Sequence, residues 1–383
     1  MQLSQWIRPG DGVVFGQACA EPQSLVEALV AQRAQYSGAT LFMGVNWSGT
    51  VKPEHADHLR LSAYCGSGHN RALADAGVLD VHPHPYSQLA SLIRQRRIKA
   101  DVVLLQVSPP NAGGEYSLGL AAEYLVPALD VCRTVIAEVN DRVPWTHSER
   151  LLKKSDFAAM LESSREPVAL PYGEPGTLEQ AIARNAAPFV PDGATLETGL
   201  GALPDALLRQ LGGRKDLRVH SGSLGDGVVG LMQQGVVHEA QGGTLMGTRR
   251  LFDFARENPA VRLRSVEYTH DARVLARIER FVALNSAVEV DTTGQVNAEM
   301  AKGSYLGAVG GALDFIRAAN QSAGGVSLIL LPAARIVETL QGPVATPRSE
   351  AGVVVTERGA ADLRGCTLRE RIARMRAIAG GSS

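Results

Sequence analysis

The run Gly199 to Pro204, with the sequence Gly-Leu-Gly-Ala-Leu-Pro, is a stretch whose residue types could do chemistry. It follows an apolar run, Ala194 to Leu196, that predicts a strand, and it precedes a stretch that predicts a helix. Glycines such as Gly199 and Gly201, together with the small Ala202, allow a ligand to come close to backbone N–H groups. Such groups can stabilise a phosphate or the oxyanion that forms from a carbonyl.

Two acidic residues near this turn could supply a base or a nucleophile. Glu197 lies two residues before the turn, so its carboxylate could act in acid–base or covalent catalysis. The alternative for Glu197 is a strand residue that only makes structural hydrogen bonds. Asp226, in the run His220 to Val229, is a second candidate base. A turn-forming role is the more ordinary interpretation of Asp226, because Asp-Gly is a common turn pair.

The four cysteines, Cys19, Cys65, Cys132 and Cys366, are widely spaced and form no Cys-x-x-Cys pair. They are interpreted as free thiols in a reducing cytoplasm rather than as a disulfide framework or a zinc site. Cys19 lies near a predicted helix start, where a thiolate is favoured, but a small space-filling residue is the preferred interpretation. We predict no metal site.

Short β-branched runs alternate with amphipathic stretches along the chain. The runs 12–16, 101–107 and 134–139 are mainly apolar, which is typical of strands that are buried on both faces. The stretches 24–31 and 205–211 carry apolar residues at helical spacing. This alternation predicts an α/β fold with mostly parallel sheets.

The N-terminal and C-terminal parts of the chain contain similar sequence patterns. Two runs that end in proline, 16–22 and 198–204, each precede a helical stretch at an equivalent position. The run 171–176 contains two prolines and two glycines, which is typical of a domain boundary. We therefore predict two related domains, residues 1–175 and 176–383. Chance recurrence of such units in an α/β protein is the alternative.

The composition is that of an ordinary globular protein, with 45% hydrophobic residues, 20% charged residues and a net charge of -1. This balance argues against a nucleic acid or an anionic membrane as the main partner. No apolar run reaches the length of a membrane helix, and the start of the chain has no signal-peptide pattern. We therefore expect a cytoplasmic protein.

Blocks of sequence along nearly the whole chain are similar to those of one enzyme family. They are residues 16–22, 70–71, 101–119, 137–140, 144–147, 199–206, 220–229, 285–291, 294–296, 307–317, 354–359 and 363–365. Their order and spacing resemble the acetyl-CoA hydrolase/transferase family, the class I CoA-transferases, which includes 4-hydroxybutyrate CoA-transferases. The family's late His-Pro-Asp-Phe-Arg block is absent from this sequence.

The resemblance implies two CoA-transferase-type α/β domains with an active site between them. It also implies an acyl-CoA as substrate, with coenzyme A released or transferred to a carboxylate, and a homodimer. Two segments would bind the substrate. The segment beside the thioester contains Gly199, Gly201 and Ala202, and the segment near coenzyme A contains Val309, Gly310 and Gly311. Cys65 stands where the family tends to have an aromatic residue, which indicates a remodelled substrate pocket.

The sequence departs from the family at Gly222, where the resemblance implies a glutamate that attacks the acyl-CoA carbonyl and then carries coenzyme A. Four interpretations stay open. Glu197 replaces the missing nucleophile, or water attacks with Glu197 or Asp226 as its base. Alternatively, the pocket decarboxylates or isomerises an acyl-CoA, or it binds acyl-CoA without turnover. A CoA-transferase or acyl-CoA hydrolase that lacks the usual glutamyl nucleophile is the first prediction.

Overall fold

The computed structural model describes residues 1–171 and 173–379, so Tyr172 of the predicted boundary lies outside the described residues. The helices are α1 Gln23–Ala31, α2 Asn70–Asp75, α3 Leu89–Arg94, α4 Leu125–Val131, α5 Thr177–Ala186, α6 Ala202–Gln210, α7 Asp226–Gln233, α8 Arg249–Ala255, α9 Val266–Thr269, α10 Ala272–Leu275, α11 Ala312–Gln321 and α12 Leu368–Ile378. Among these helices, none is both long enough and apolar enough to cross a membrane.

Strands alternate with these helices along the chain, as the sequence predicts. They are β1 Gly12–Phe15, β2 Thr40–Met43, β3 Arg60–Ala63, β4 Leu79–Val81, β5 Val102–Val107, β6 Glu115–Ser117, β7 Thr134–Asn140, β8 His147–Ser148, β9 Leu151–Lys153, β10 Ala159–Ser163, β11 Thr195–Thr198, β12 Leu217–Leu224, β13 Val237–Leu245, β14 Val261–Leu263, β15 Phe281–Ser286, β16 Glu289–Asp291, β17 Val296–Asn297, β18 Met300–Ala301, β19 Ser304–Tyr305, β20 Val326–Leu330, β21 Ile336–Val337, β22 Val353–Thr356 and β23 Gly359–Asp362.

Two large sheets hold most of these strands. The first has the order β10-β7-β5-β1-β2-β3-β4, and all its pairings are parallel. The second has the order β23-β22-β20-β15-β11-β12-β13-β14-β8, and only its β22–β23 pairing is antiparallel. Strands such as β5 are buried along their whole length, which explains why they are continuous apolar runs. The predicted α/β class with mostly parallel sheets is confirmed.

The two sheets repeat one topology. Counted from β1, the seven strands of the first sheet lie in the order seventh, sixth, fifth, first, second, third, fourth. Counted from β11, the strands β11 to β15, β20 and β22 of the second sheet lie in the same order. A shared order of seven strands supports the interpretation of the chain as two related halves.

The halves share a core and exchange a strand. One continuous cluster of buried side chains contains Val14 and Leu105 from the first sheet and Leu196 and Leu284 from the second. The short β8, which lies before the proposed boundary at residues 175 and 176, pairs with β14 at the edge of the second sheet. The boundary therefore remains a proposal, and the two halves form one packed unit.

A buried carboxylate fixes the start of α1. Both oxygens of Glu138, at the end of β7, accept hydrogen bonds from the first turn of this helix. The donors are the Ser24 N–H at 2.9 Å, the Ser24 hydroxyl at 2.9 Å and the Leu25 N–H at 3.2 Å. An anion at a helix N-terminus satisfies N–H groups that have no partner inside the helix.

We predict that Glu138→Gln lowers the free energy of unfolding by about 1–3 kcal/mol, because a charged acceptor of several buried donors is lost. The measurement is urea unfolding of the purified variant. Glu162→Gln, on the exposed side of the edge strand β10, is the matched control and should change stability by less than about 0.5 kcal/mol. Equal stabilities of the two variants would contradict the capping role.

Candidate active site

A cavity of about 310 Å³ lies between the two halves, at the ends of the central strands of the second sheet. The first half lines it with Gln17, Val45, Tyr64, Cys65, Ser67, Tyr86 and Glu123. Of the residues that the sequence singles out as site residues, the cavity brings together Glu197, Gly199, Gly222, Val309, Gly310 and Gly311.

The topology explains why the cavity is in this place. In the second sheet the strand order reverses between β11 and β15, and Glu197 and Asn285 lie near the carboxyl ends of these two strands. Ligands of open α/β sheets bind at such a switch point. In the first sheet the equivalent position follows β1, and Gln17 lies there and lines the same cavity.

Glu197 is held by two donors and shielded from water. Its Oε2 accepts hydrogen bonds from the Leu284 N–H at 3.1 Å and from the Asn285 amide at 2.8 Å. Its side chain lies in the cavity wall, and the residue is only 4% exposed. Burial raises the pKa of Glu197 to about 8, and the two hydrogen bonds only partly oppose this effect.

Gly222 and Glu197 present their Cβ positions to the same face of the sheet. Leu196 pairs with Val219 on the neighbouring strand, so Glu197 is level with His220. Alternation along β12 then puts Gly222 on the face of Glu197. A Cβ built on Gly222 would lie 3.2 Å from Cε1 and 3.3 Å from Nε2 of His270. An imidazole therefore stands beside the position where the resemblance implies a glutamate.

Two predicted binding residues are not in the cavity wall. Gly201 and Ala202 are absent from its lining; Gly201 precedes α6 with a φ of 118°, and Ala202 is the first residue of that helix. Glycine is favoured at Gly201 by this backbone conformation. The Gly199 N–H donates to the Leu284 carbonyl at 2.9 Å, so the turn offers a ligand fewer N–H groups than its sequence indicates.

Asp226 has a structural role and does not line the cavity. Its two carboxylate oxygens accept hydrogen bonds from the Thr248 N–H at 2.9 Å and the Thr248 hydroxyl at 2.8 Å. These contacts connect the start of α7 to the segment before α8. The turn-forming interpretation of Asp226 therefore fits the structure better than the catalytic one.

The loop Val309 to Gly311 joins the two halves at the cavity. The Gly310 carbonyl accepts a hydrogen bond from the Tyr86 N–H at 2.9 Å. A Cβ built on Gly311 would lie 2.3 Å from Nε2 of His270, so only glycine permits this close approach. The helix α11 begins directly after the loop, with Ala312 in the cavity wall.

Glu123 is a cavity residue that the sequence analysis misses. Its Oε2 accepts hydrogen bonds from the Gln17 amide at 2.6 Å and the Tyr86 hydroxyl at 2.7 Å. Its Oε1 is buried and has no hydrogen-bond partner among the described residues. Burial raises the pKa of Glu123 to about 7. The available signal is a single carboxylate inside the otherwise small and apolar run 118–122 and 124–129.

His270 is the second residue that the sequence analysis misses. It follows α9, is 4% exposed, and lies among aromatic rings at the cavity. Burial lowers the pKa of His270 to about 3, so its imidazole is neutral at neutral pH. The run 269–273 is polar and typical of a surface loop, so no sequence signal indicates this burial.

The two cysteines that the sequence singles out have different positions. Cys19 is buried outside the cavity lining, and burial raises the pKa of its thiol to about 12, which fits a space-filling role. Cys65 lies in the cavity wall, next to Tyr64. Within the described part of the chain, no cluster of three or more histidine, cysteine, aspartate and glutamate side chains is arranged to hold a metal ion.

Comparisons with known proteins agree with this architecture. Residues 2–170 match the acetyl-CoA hydrolase/transferase N-terminal domain, and residues 247–382 match the C-terminal domain of the same family. The chain is 36% identical over 379 residues to the 4-hydroxybutyrate coenzyme A transferase of Clostridium kluyveri, covering 94% of this chain and 88% of that protein.

Solved structures show the same fold. RipA from Yersinia pestis superposes with a TM-score of 0.94 at 28% identity, covering 99% of this chain and 93% of RipA. The 4-hydroxybutyrate CoA-transferase from Porphyromonas gingivalis gives a TM-score of 0.79 at 30% identity, covering 99% and 92% of the two chains. The chain therefore belongs to the acetyl-CoA hydrolase/transferase family of enzymes.

Proposed function

We propose that this protein hydrolyses an acyl-CoA thioester, with water as the nucleophile and Glu197 as its general base. The observation that carries the proposal is the pairing of Glu197 with Gly222 on one face of the sheet, inside the cavity. Gly222 has no side chain to attack a thioester, and the nearest carboxylate on the neighbouring strand is buried and fixed in place. Family membership supports an acyl-CoA as the substrate.

The hydrogen bonds of Glu197 suit the role of a base. Both donors, the Leu284 N–H and the Asn285 amide, engage Oε2, which leaves Oε1 to accept a proton from water. Water would attack the thioester carbon as Glu197 takes its proton. The carbon–sulfur bond would then break, and coenzyme A would leave as a thiolate that recovers the proton.

The start of α11 is the proposed site for the thioester oxygen. Its first turn borders the cavity at Ala312, and the N–H groups of a first helical turn lack partners inside the helix. These N–H groups lie at the positive end of the helix dipole, which stabilises a developing oxyanion. This assignment replaces the Gly199 N–H, which is already hydrogen-bonded to Leu284.

CoA transfer is the second candidate function, because relatives that match most of this chain are named as CoA transferases. In that case Glu197 itself would attack the thioester, form an anhydride and then a glutamyl-CoA thioester, and a free carboxylate would collect coenzyme A. Decarboxylation or isomerisation of an acyl-CoA, and binding without turnover, are further outcomes that the experiments below distinguish.

The proposal includes a cytoplasmic location and a homodimer. The four cysteines are unpaired in the structure, which suits a reducing compartment. The homodimer follows from the resemblance to the family, and light scattering of the purified protein measures it directly.

We predict that Glu197→Gln reduces kcat for acyl-CoA hydrolysis by about 10² to 10⁴-fold, the usual contribution of a general base. The assay measures release of free coenzyme A from a panel of short acyl-CoA thioesters that includes 4-hydroxybutyryl-CoA. Glu21→Gln is the matched control: Glu21 is also buried, with a pKa raised to about 7, but it lies outside the cavity lining. Unchanged activity of Glu197→Gln would exclude Glu197 as base and as nucleophile.

The same panel separates the candidate reactions. Hydrolysis releases free acid and free coenzyme A, with no enzyme adduct. CoA transfer exchanges label between an acyl-CoA and a free carboxylate, and borohydride traps the glutamyl-CoA thioester. Carbon dioxide released while coenzyme A stays esterified indicates decarboxylation, and tight binding without any turnover indicates a binding protein.

We predict that kcat/KM rises with pH and levels off above an apparent pKa of about 8, because the base acts only when Glu197 is ionised. Steady-state rates between pH 6 and pH 9.5, corrected for uncatalysed hydrolysis, measure this profile in roughly half-unit steps. Glu197→Gln should lose this rise. A wild-type profile that is flat from pH 6 to pH 8 would contradict ionisation of Glu197 as the controlling step.

A further inference from the structure

The imidazole of His270 is fixed by contacts from both halves of the chain. Its ring lies 4.9 Å from the ring of Tyr86 and 4.5 Å from the ring of Phe315, measured between centroids. Tyr86 belongs to the first half and Phe315 to α11 of the second. The position of the ring is therefore set by packing, and it does not depend on a mobile loop.

A hydrogen-bond chain beside His270 favours one position for the ring proton. The Thr269 hydroxyl donates to the Ser265 carbonyl at 3.2 Å, and Nδ1 of His270 lies 2.8 Å from the same hydroxyl oxygen. A hydroxyl has one proton, and we assign it to the Ser265 carbonyl, so that the hydroxyl accepts from the Nδ1–H of His270. Since the neutral ring has a single N–H, Nε2 carries a lone pair.

Gly222 and Gly311 lie against this side of the ring, and neither has a side chain that could cover Nε2. Cβ atoms built on Gly222 and Gly311 would lie 3.3 Å and 2.3 Å from Nε2. Among the described residues, no hydrogen-bond donor is recorded for Nε2, and His270 lines the cavity. A polar atom in a largely apolar wall is ordinarily satisfied by protein or by water. A water molecule beside Gly222 would supply such a donor.

We propose that Nε2 of His270 binds and orients the water that attacks the thioester, in the space beside Gly222. This inference rests on the proposed hydrolase function. The water donates one hydrogen to Nε2 and the other to Glu197, which directs an oxygen lone pair at the acyl carbon. As the carbon–oxygen bond forms, Glu197 receives the proton; the carbon–sulfur bond breaks, and the thiolate of coenzyme A leaves. His270 stays neutral throughout.

The burial of His270 supports this role. Because burial depresses its pKa to about 3, the ring does not become a cation at the pH at which Glu197 is ionised. It therefore remains an acceptor for water and does not compete for the proton. Gly311 permits the close packing of its backbone against the ring, and Gly222 leaves the other approach to Nε2 free of a side chain, as the proposed water requires.

Two variants of His270 test the inference. His270→Phe keeps a ring between Tyr86 and Phe315 but has no acceptor, whereas His270→Gln retains an acceptor at about the reach of Nε2. We expect His270→Phe to lower kcat for hydrolysis by about 10²-fold or more, with little change in KM. His270→Gln should retain more of the activity than His270→Phe.

A second nucleophile separates orientation of water from a structural role. Hydroxylamine attacks thioesters without activation by a base, so the ratio of hydroxamate to free acid reports on water alone. We expect His270→Phe to keep the wild-type rate of enzyme-dependent hydroxamate formation, measured after subtraction of the reaction without protein, while it loses hydrolysis, so this ratio rises about 10²-fold. Thermal unfolding of each variant verifies that the fold is kept.

Gly222→Ala provides an independent variant if His270→Phe does not fold. It keeps the imidazole and puts a methyl group 3.3 Å from Nε2, in the space proposed for the water. We expect a loss of hydrolysis of about tenfold or more, at the cost of a small local shift. Wild-type hydrolysis by Gly222→Ala would overturn the position proposed for the water.

The outcomes distinguish this inference from the proposed function. If the wild type hydrolyses acyl-CoA and folded His270→Phe does so equally well, the role of His270 is overturned and the hydrolase function stands. An equal loss of hydroxamate formation and hydrolysis would show that His270 only shapes the pocket, which also overturns the inference. If the wild type exchanges coenzyme A and releases no free acid, both proposals are overturned.

Discussion

The continuous apolar core that joins the two sheets is the constraint on which the chemistry of the cavity depends. Side chains of both sheets, among them Val14 and Leu284, pack into one cluster, so the cavity walls are largely excluded from water. Exclusion from water destabilises the charged form of both a carboxylic acid and an imidazole. The pKa of Glu197 consequently rises and the pKa of His270 falls, and the two opposite shifts have a single physical cause.

The repeated topology explains how the two halves contribute different groups to one site. Both halves present a polar residue near the end of their central strand, Gln17 after β1 and Glu197 in β11. Gln17 accepts from the Val45 N–H at 2.9 Å and donates to Glu123, so the first half positions a carboxylate indirectly. The second half presents its carboxylate directly. The same end of the central strand therefore carries a supporting residue in one half and the proposed reacting group in the other.

Local sequence patterns predict the fold class and several of its elements, because each strand and helix forms from neighbouring residues. The buried runs of β1, β5 and β7 and the helix after the Gly199 turn lie close to their predicted ranges. The site is harder to predict, since its groups come together from distant parts of the chain. Glu123 and His270 are given their roles by partners such as Tyr86 and Phe315, and no spacing rule connects these positions. Likewise, only the paired strands show that the Gly199 N–H is already occupied.

The pairing of β8 with β14 restricts how a substrate can enter. Since β8 leaves the first half and lies at the far edge of the second sheet, the halves are joined both at their core and at this edge. A hinged opening of one half from the other would have to break both attachments. A substrate that enters without breaking these attachments would pass the segments at the rim of the cavity, such as the loop around Gly310.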